Sequence, residues 1–466
     1  MKKIKGICIL LTLSLLATGC GGDTSAPVDG SMGNESVAAS GSGEHQTGEA
    51  PDRSDNPDGS SSGNPSGDKE EAGGRLLTHY VSEEGYSKAD AWNSCDDTAL
   101  AAVMKKALAG EKITIACIGG SITQGTISSG SMDSEVPFKK SYAELFKQWW
   151  EETFPNAQIE FVNAGIGATD SYLGVHRVGK DVLDYQPDLV LVEFSVNDAN
   201  STNSKITYDN LVRRIASYEN TDASNGRDAK AQPAVMLLFM GQTNGSNAQE
   251  QHVLVGFNYK LPMISYANYI AYAMEQGEYS AKDLSGDTTH PSALGHAITG
   301  ELLWRYLNQV YANLDSFGEP GPWKVKAITK DMYLNAEILD SESITPDALG
   351  SFHESSVFAA FPNDWTTTEG DGGIEFTAEF SRLGILYYRT TDGKSGQFEV
   401  YVDGEKVATL DGDFSGGWGN YAESAAVFSG ESAEHNVKLV KATDSEAEGF
   451  SILGLLVADE ESGADE

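Results

Sequence analysis

Three stretches of the chain are apolar at nearly every position: ITIACI (residues 113–118), DLVLVEF (residues 188–194) and AVMLLFM (residues 234–240). A strand with one wet face alternates apolar and polar residues. A run without a polar stripe therefore predicts a strand covered on both sides, as in a parallel sheet between two helical layers. The segments between these runs carry helical spacing. Leu100, Val103, Met104 and Ala107 predict a helix from about Asp97, closed by Gly110; Leu145, Trp149 and Phe154 predict another behind the capping-box pair Ser141 and Glu144. Further helices are expected around residues 175–183, 208–218, 266–274 and 293–314, with strands at 159–162 and near Met263. Such alternation from residue 76 to 318 predicts a doubly wound, parallel-sheet α/β/α sandwich whose functional loops gather at the carboxyl edge of the sheet.

The pattern changes after the turn-rich GEPGP (residues 318–322). Beyond it come short alternating runs such as IEFTAEF, GILYYRT, QFEVYVDG, HNVKLVKA and FSILGLLVA, with Asp403-Gly404 placed as a hairpin turn. Residues 319–460 therefore predict an all-β sandwich of jelly-roll type, followed by an acidic tail, 461–466. Strand alternation alone makes Tyr387, Tyr388 and Phe398 core residues. Trp365, Trp418 and Tyr421 would stack on sugar rings if exposed, or cap the sandwich core if not.

Lys2, Lys3 and Lys5, an apolar core over residues 7–16 and then Ala17-Thr18-Gly19-Cys20 have the form of an export signal. The small residues ending at Cys20 resemble a bacterial lipobox, with Ala17 where leucine is usual. That resemblance implies lipidation of Cys20 and an extracytoplasmic, membrane-anchored protein; the plainer reading is a secretory signal with an incidental cysteine. Residues 21–75 contain no Phe, Trp or Tyr and are rich in Gly, Ser, Asp and Glu, a composition that predicts a disordered tether. The formal net charge of −37 argues against nucleic acid or an anionic membrane surface as partner. Of the cysteines remaining after processing, Cys117 reads as a small buried hydrophobe, and a disulfide to Cys95 is left open. With no Cys-x-x-Cys pair, a structural zinc site has no support.

GGSITQG (residues 119–125) directly follows the first apolar run, which exposes the Ser121 hydroxyl at the carboxyl end of a buried strand. A phosphate loop would need lysine where Thr126 stands, and the nucleophile elbow of α/β-hydrolases would need glycine at Thr123. A bare βα turn is the bland alternative. Ser121 as nucleophile needs a base, and His290 in DTTH has Asp287 three residues before it, a spacing that lets the carboxylate hold one imidazole nitrogen while the other faces the serine. Gly167, in a glycine-rich loop, and the Asn197 side chain offer oxyanion donors beside the Ser121 N–H, with Gly165 a competitor for Gly167. Asp198 reads as a solvated or loop-stabilising carboxylate, and His176 and His296 as structural residues on helices.

GGSITQG, NAGIGATDS, SVND and DTTH, in that order, resemble the four blocks of the SGNH (GDSL-type) hydrolase superfamily, with Gly120 and Ile122 replacing the aspartate and leucine of Gly-Asp-Ser-Leu, as in its GGSIT branch. The resemblance spans roughly residues 110–315. It implies a serine esterase with Ser121 as nucleophile, Gly167 and Asn197 completing the oxyanion hole, and Asp287 and His290 finishing the triad, with no metal or organic cofactor. The β-domain resembles the small jelly-roll that accompanies certain carbohydrate esterases, though there it precedes the catalytic domain. The expected reaction is removal of O-acyl groups, acetyl first, from extracellular carbohydrate. An O-acyltransferase acting on glycans and a non-catalytic glycan-binding lipoprotein are the competing readings.

Overall fold

The computed structural model describes residues 79–219, 231–324, 326–370 and 372–459. The expected signal peptide (1–20) with Cys20, the tether (21–75) and the acidic tail (461–466) lie outside the described residues. None of the described helices is long and apolar enough to cross a membrane.

Five parallel strands form the first sheet: β1 (Lys112–Gly119), β2 (Gln158–Gly165), β3 (Leu189–Glu193), β4 (Ala234–Phe239) and β5 (Met263–Ser265), in the order β2-β1-β3-β4-β5. The absence of a polar stripe has a direct cause in β1. Ile113, Ile115 and Cys117 enter one core, with the helices Thr98–Leu108, Tyr142–Thr153, Tyr266–Gln276 and Ala293–Ala312. Ala116 and Ile118 enter a second core on the other face, with Ser171–Asp181, Thr202–Ala216 and Gln249–Tyr259. Strand order reverses direction at β1, flanked by β2 on one side and β3 on the other, so a crevice opens beyond its carboxyl end.

The expected capping box is formed: Ser141 Oγ accepts the Glu144 N–H while the Glu144 carboxylate accepts the Ser141 N–H. Among the described helices longer than one turn, Glu83–Ala89 and Gln249–Tyr259 lie where the sequence pattern showed none. Glu83–Ala89 is held from outside its own sequence, because Glu301, buried on the last helix of the domain, accepts from Tyr86 Oη at 2.5 Å and from the Tyr80 N–H at 2.7 Å. In Gln249–Tyr259 the contact face includes Gly256, where a Cβ would lie 2.2 Å from Met263 Sδ. Close backbone approach there takes the place of an apolar side chain, which blurs the helical spacing. Cys117 and Cys95 are both free thiols.

The second domain is all-antiparallel. It comprises β6 (Glu337–Leu339), β7 (His353–Ser355), β8 (Asp364–Thr367), β9 (Ile374–Arg389), β10 (Gln397–Val402), β11 (Glu405–Asp411), β12 (Tyr421–Lys441) and β13 (Phe450–Ala458). Their hydrogen-bonded order is β11-β10-β12-β9-β13-β8-β7, with β6 against β13. Asp403 and Gly404, both at positive φ, make the expected two-residue hairpin turn between β10 and β11. β12 is far longer than its legible part because two register shifts, near Phe428 and after Ser429, break the alternation on which sequence reading depends. One face of the sheet encloses Phe376, Phe380, Ile385, Phe398, Val437 and Trp365. The other, through Leu386, Leu453 and Leu456, packs into the second core of the α/β domain. Trp365 is fully buried against Phe376, so it belongs to the core and not to a sugar platform.

Candidate active site

β1 runs into the four-residue helix Ser121–Gln124 with only Gly120 between them. Both glycines before the serine are required by close approach. A Cβ on Gly119 would lie 2.0 Å from Thr123 Oγ1 and 2.5 Å from the Glu193 carbonyl oxygen, and one on Gly120 would lie 2.3 Å from Asn197 Oδ1. Arg177, 2 % exposed, anchors the strand ends beneath: its guanidinium donates to the Ala164 carbonyl at 2.7 Å and the Gly119 carbonyl at 3.0 Å, and pairs with Asp181 at 2.7 Å. The turn that presents Ser121 is thereby tied to the loop that presents Gly167.

Ser121 Oγ lies 2.9 Å from His290 Nε2, and His290 Nδ1 lies 2.7 Å from Asp287 Oδ2. The hydrogen-bond network assigns the proton to Nδ1, leaving the Nε2 lone pair for the serine hydroxyl. Asp287 Oδ1 also accepts the N–H groups of Thr289 at 3.0 Å and His290 at 2.8 Å, which folds residues 287–290 into a tight turn with Thr288 at φ +79°. Burial alone would raise the Asp287 carboxyl, but hydrogen bonds from the His290 side chain and backbone outweigh it and hold the group below the usual aspartate value. Ser128 Oγ donates to the His290 carbonyl at 2.6 Å, and the Thr243 N–H donates to the Thr288 carbonyl at 3.0 Å.

The structure separates the two glycines that compete as donors. The Gly165 N–H is taken by Asn163 Oδ1 at 3.0 Å, and a Cβ on Gly165 would lie 2.2 Å from the Gln124 nitrogen, so its role is close packing. Gly167 stands beside Ser121 and donates to Gln124 Oε1 at 2.9 Å; Ala168 next to it has φ +61°. The Asn197 carboxamide lies against Gly120. Asp198 is buried and loop-stabilising, not solvated: it accepts the Ser171 N–H at 2.8 Å and pairs with His252 Nε2 at 2.8 Å, and the His252 ring stacks on Tyr208 at 3.6 Å. The Asn197 loop is thereby fastened to the helix that follows the Gly167 loop. His296 is buried and bridges the Tyr142 N–H and the Thr126 carbonyl, both at 3.1 Å, while His176 Nδ1 bonds the Tyr172 carbonyl at 2.7 Å; burial pushes both imidazoles down to about 4. Among the described residues, no group of three or more His, Cys, Asp or Glu side chains could hold a metal ion.

Residues 117–298 match the model of the GDSL-like lipase/acylhydrolase family. Over 81 % of this chain and 99 % of the other, the fold superposes with a TM-score of 0.70 and 28 % identity on the crystal structure of a two-domain esterase active on acetylated mannans. A crystal structure of such an esterase with mannopentaose agrees equally well, with a TM-score of 0.69 and 28 % identity over the same shares of the two chains. The chain is a carboxylic ester hydrolase whose α/β domain is similar to the GDSL-like acylhydrolases. No curated protein sequence matches it.

Several residues that shape the site of this hydrolase have no signature in the sequence. Arg177, His252 and Gln124 act through partners 58, 54 and 43 positions away. Glu193 is another: at the end of β3 and fully buried, it accepts from the Ser195 N–H at 3.1 Å and from Thr123 Oγ1 at 3.4 Å, directly below the Ser121 helix. Burial pushes its carboxyl up to about 7, with the Asp198 charge adding and the hydrogen bonds from Ser195 opposing.

Two predictions follow from this packing. The folded hydrolase keeps the Glu193 proton between the ordinary value of 4.5 and about 7, where the unfolded chain has lost it. This stabilisation is complete below 4.5 and disappears as pH rises through 7. The stability of Glu193→Gln relative to wild type should therefore grow by about 3 kcal/mol between acid and mildly alkaline pH in denaturant titrations, and a flat difference would contradict the buried carboxyl. Gly120→Ala should drive Asn197 out of place and lower kcat by about 10²-fold with the fold intact by circular dichroism. Wild-type kcat in that variant would show that the close approach is irrelevant.

Proposed function

We propose that this hydrolase removes O-acetyl groups from carbohydrate through an acyl-enzyme on Ser121. The observation that carries the proposal is the hydrogen-bonded chain Ser121 Oγ, His290 and Asp287, with contacts of 2.9 and 2.7 Å, at the carboxyl edge of the parallel sheet. As Ser121 Oγ bonds to the ester carbonyl carbon, its proton passes to His290 Nε2, and Asp287 stabilises the imidazolium. The carbonyl oxygen becomes an oxyanion facing the Ser121 N–H, which at the first position of a helix has no intrahelical acceptor, together with the Gly167 N–H and the Asn197 amide. Collapse expels the sugar oxygen, which takes the proton from His290. Water then attacks the acetyl-serine, gives one proton to His290 and releases acetate, and the proton returns to Ser121.

Two observations support carbohydrate as the alcohol. One is the likeness to the esterase active on acetylated mannans. The other lies on the β-domain, where Trp418 is 70 % exposed and stands 4.9 Å from Tyr421 and 5.6 Å from Phe414. Arg389 fixes the Tyr421 hydroxyl at 3.1 Å. An aromatic face held rigid and wet is suited to the apolar face of a sugar ring.

Ser121→Ala should cut acetate release from acetylated mannan by about 10⁴-fold or more. Retained turnover would remove Ser121 from the mechanism. The amino-terminal pattern ending at Cys20 supports a lipid-anchored, extracytoplasmic form of the enzyme. Expressed in a bacterium, the full chain should enter the detergent phase on Triton X-114 partitioning and Cys20→Ala should not; identical partitioning would rule the anchor out.

A further inference from the structure

The Gly167 N–H, which the mechanism requires for the oxyanion, already has an acceptor: Gln124 Oε1, at 2.9 Å. Gln124 closes the short helix that Ser121 opens, three positions on, so the two side chains stand on one face. The space above Gly167 is shared between them, since a Cβ built there would lie 3.0 Å from Gln124 Oε1 and 3.8 Å from Ser121 Cβ. An sp² oxygen at hydrogen-bond distance from this N–H, next to the nucleophile, occupies the position that the carbonyl oxygen of an attacked ester must take.

We infer that Gln124 is a displaceable stopper of the oxyanion hole: in the free enzyme its carboxamide oxygen holds the Gly167 N–H, and the ester carbonyl enters by pushing it aside. The inference rests on the acyl-transfer role proposed for Ser121. Gln124 is suited to this because it is exposed and unbranched and can swing into solvent without loss of packing. The bond is between neutral groups, so the negatively charged oxyanion outcompetes it, whereas a ground-state ester carbonyl only matches it. The stopper therefore lowers kcat/KM modestly and leaves the tetrahedral intermediate unopposed.

A strut that merely shapes the loop would behave in the opposite way, and two substitutions distinguish them. The readouts are kcat/KM for an acetyl ester and the second-order rate at which a neutral fluorophosphonate labels Ser121, its phosphoryl oxygen entering the same hole. Gln124→Ala should raise both by about 2- to 10-fold, the worth of one exchanged neutral hydrogen bond. Gln124→Glu, whose carboxylate holds the N–H more tightly, should lower both at about pH 8. Lower values for Gln124→Ala with near-wild-type values for Gln124→Glu would overturn the stopper, as would no change in either. Wild-type protein whose Ser121 is neither labelled nor needed for turnover would sink the acyl-transfer reading and the stopper together. A labelled, essential Ser121 with the contrary order of variants would sink the stopper alone.

Discussion

Three segments meet at one sheet edge because three glycines there have no Cβ. Any side chain on Gly119 would strike Thr123 and the Glu193 carbonyl, on Gly120 it would strike Asn197, and on Gly165 it would strike the backbone of Gln124. Each contact joins the Ser121 turn to a different neighbour, so the turn, β2 and the end of β3 are in van der Waals contact through backbone. Such a junction leaves little room for small adjustments. Arg177, reaching the carbonyls of Ala164 and Gly119 from below, keeps the two strand ends in step.

Beneath this junction the enzyme buries several ionisable groups. Glu193 lies under the serine helix, and Asp198 with His252 lies under the Asn197 loop. Each carboxylate is hydrogen-bonded to the backbone or side chain of a loop residue, which gives fixed orientation where apolar packing would give only proximity. Rigid placement of donors before the substrate arrives is what electrostatic stabilisation of an oxyanion requires. The cost is a buried carboxyl at Glu193 that prefers its proton up to about pH 7.

Much of this was legible in the sequence, and the exceptions have physical reasons. The fully apolar runs of β1, β3 and β4 specified a parallel sheet because both faces of each strand enter a core. The Asp287–His290 spacing was legible because both residues belong to one tight turn. The sequence favoured Gly167 over Gly165 only through the Ala-Thr-Asp-Ser that follows it, whereas what separates them physically is the Asn163 carboxamide that takes the Gly165 N–H. Arg177, Gln124 and His252 were silent because their partners lie on other loops. The helix Gln249–Tyr259 escaped notice because Gly256 packs by absence, and most of β12 did so because its bulges break the alternation. Of the three aromatic residues left open, burial assigned Trp365 to the core and exposure left Trp418 at the surface.

The proposed mechanism requires that Ser121 carry the acyl group. The most direct measurement mixes enzyme with an activated acetyl ester, quenches in acid within the first turnover and maps the peptides by mass spectrometry. The account predicts one acetyl group, on the peptide containing Ser121, which vanishes as turnover completes. An acetyl group on another residue, or an unmodified Ser121 peptide while the ester is being consumed, would contradict it.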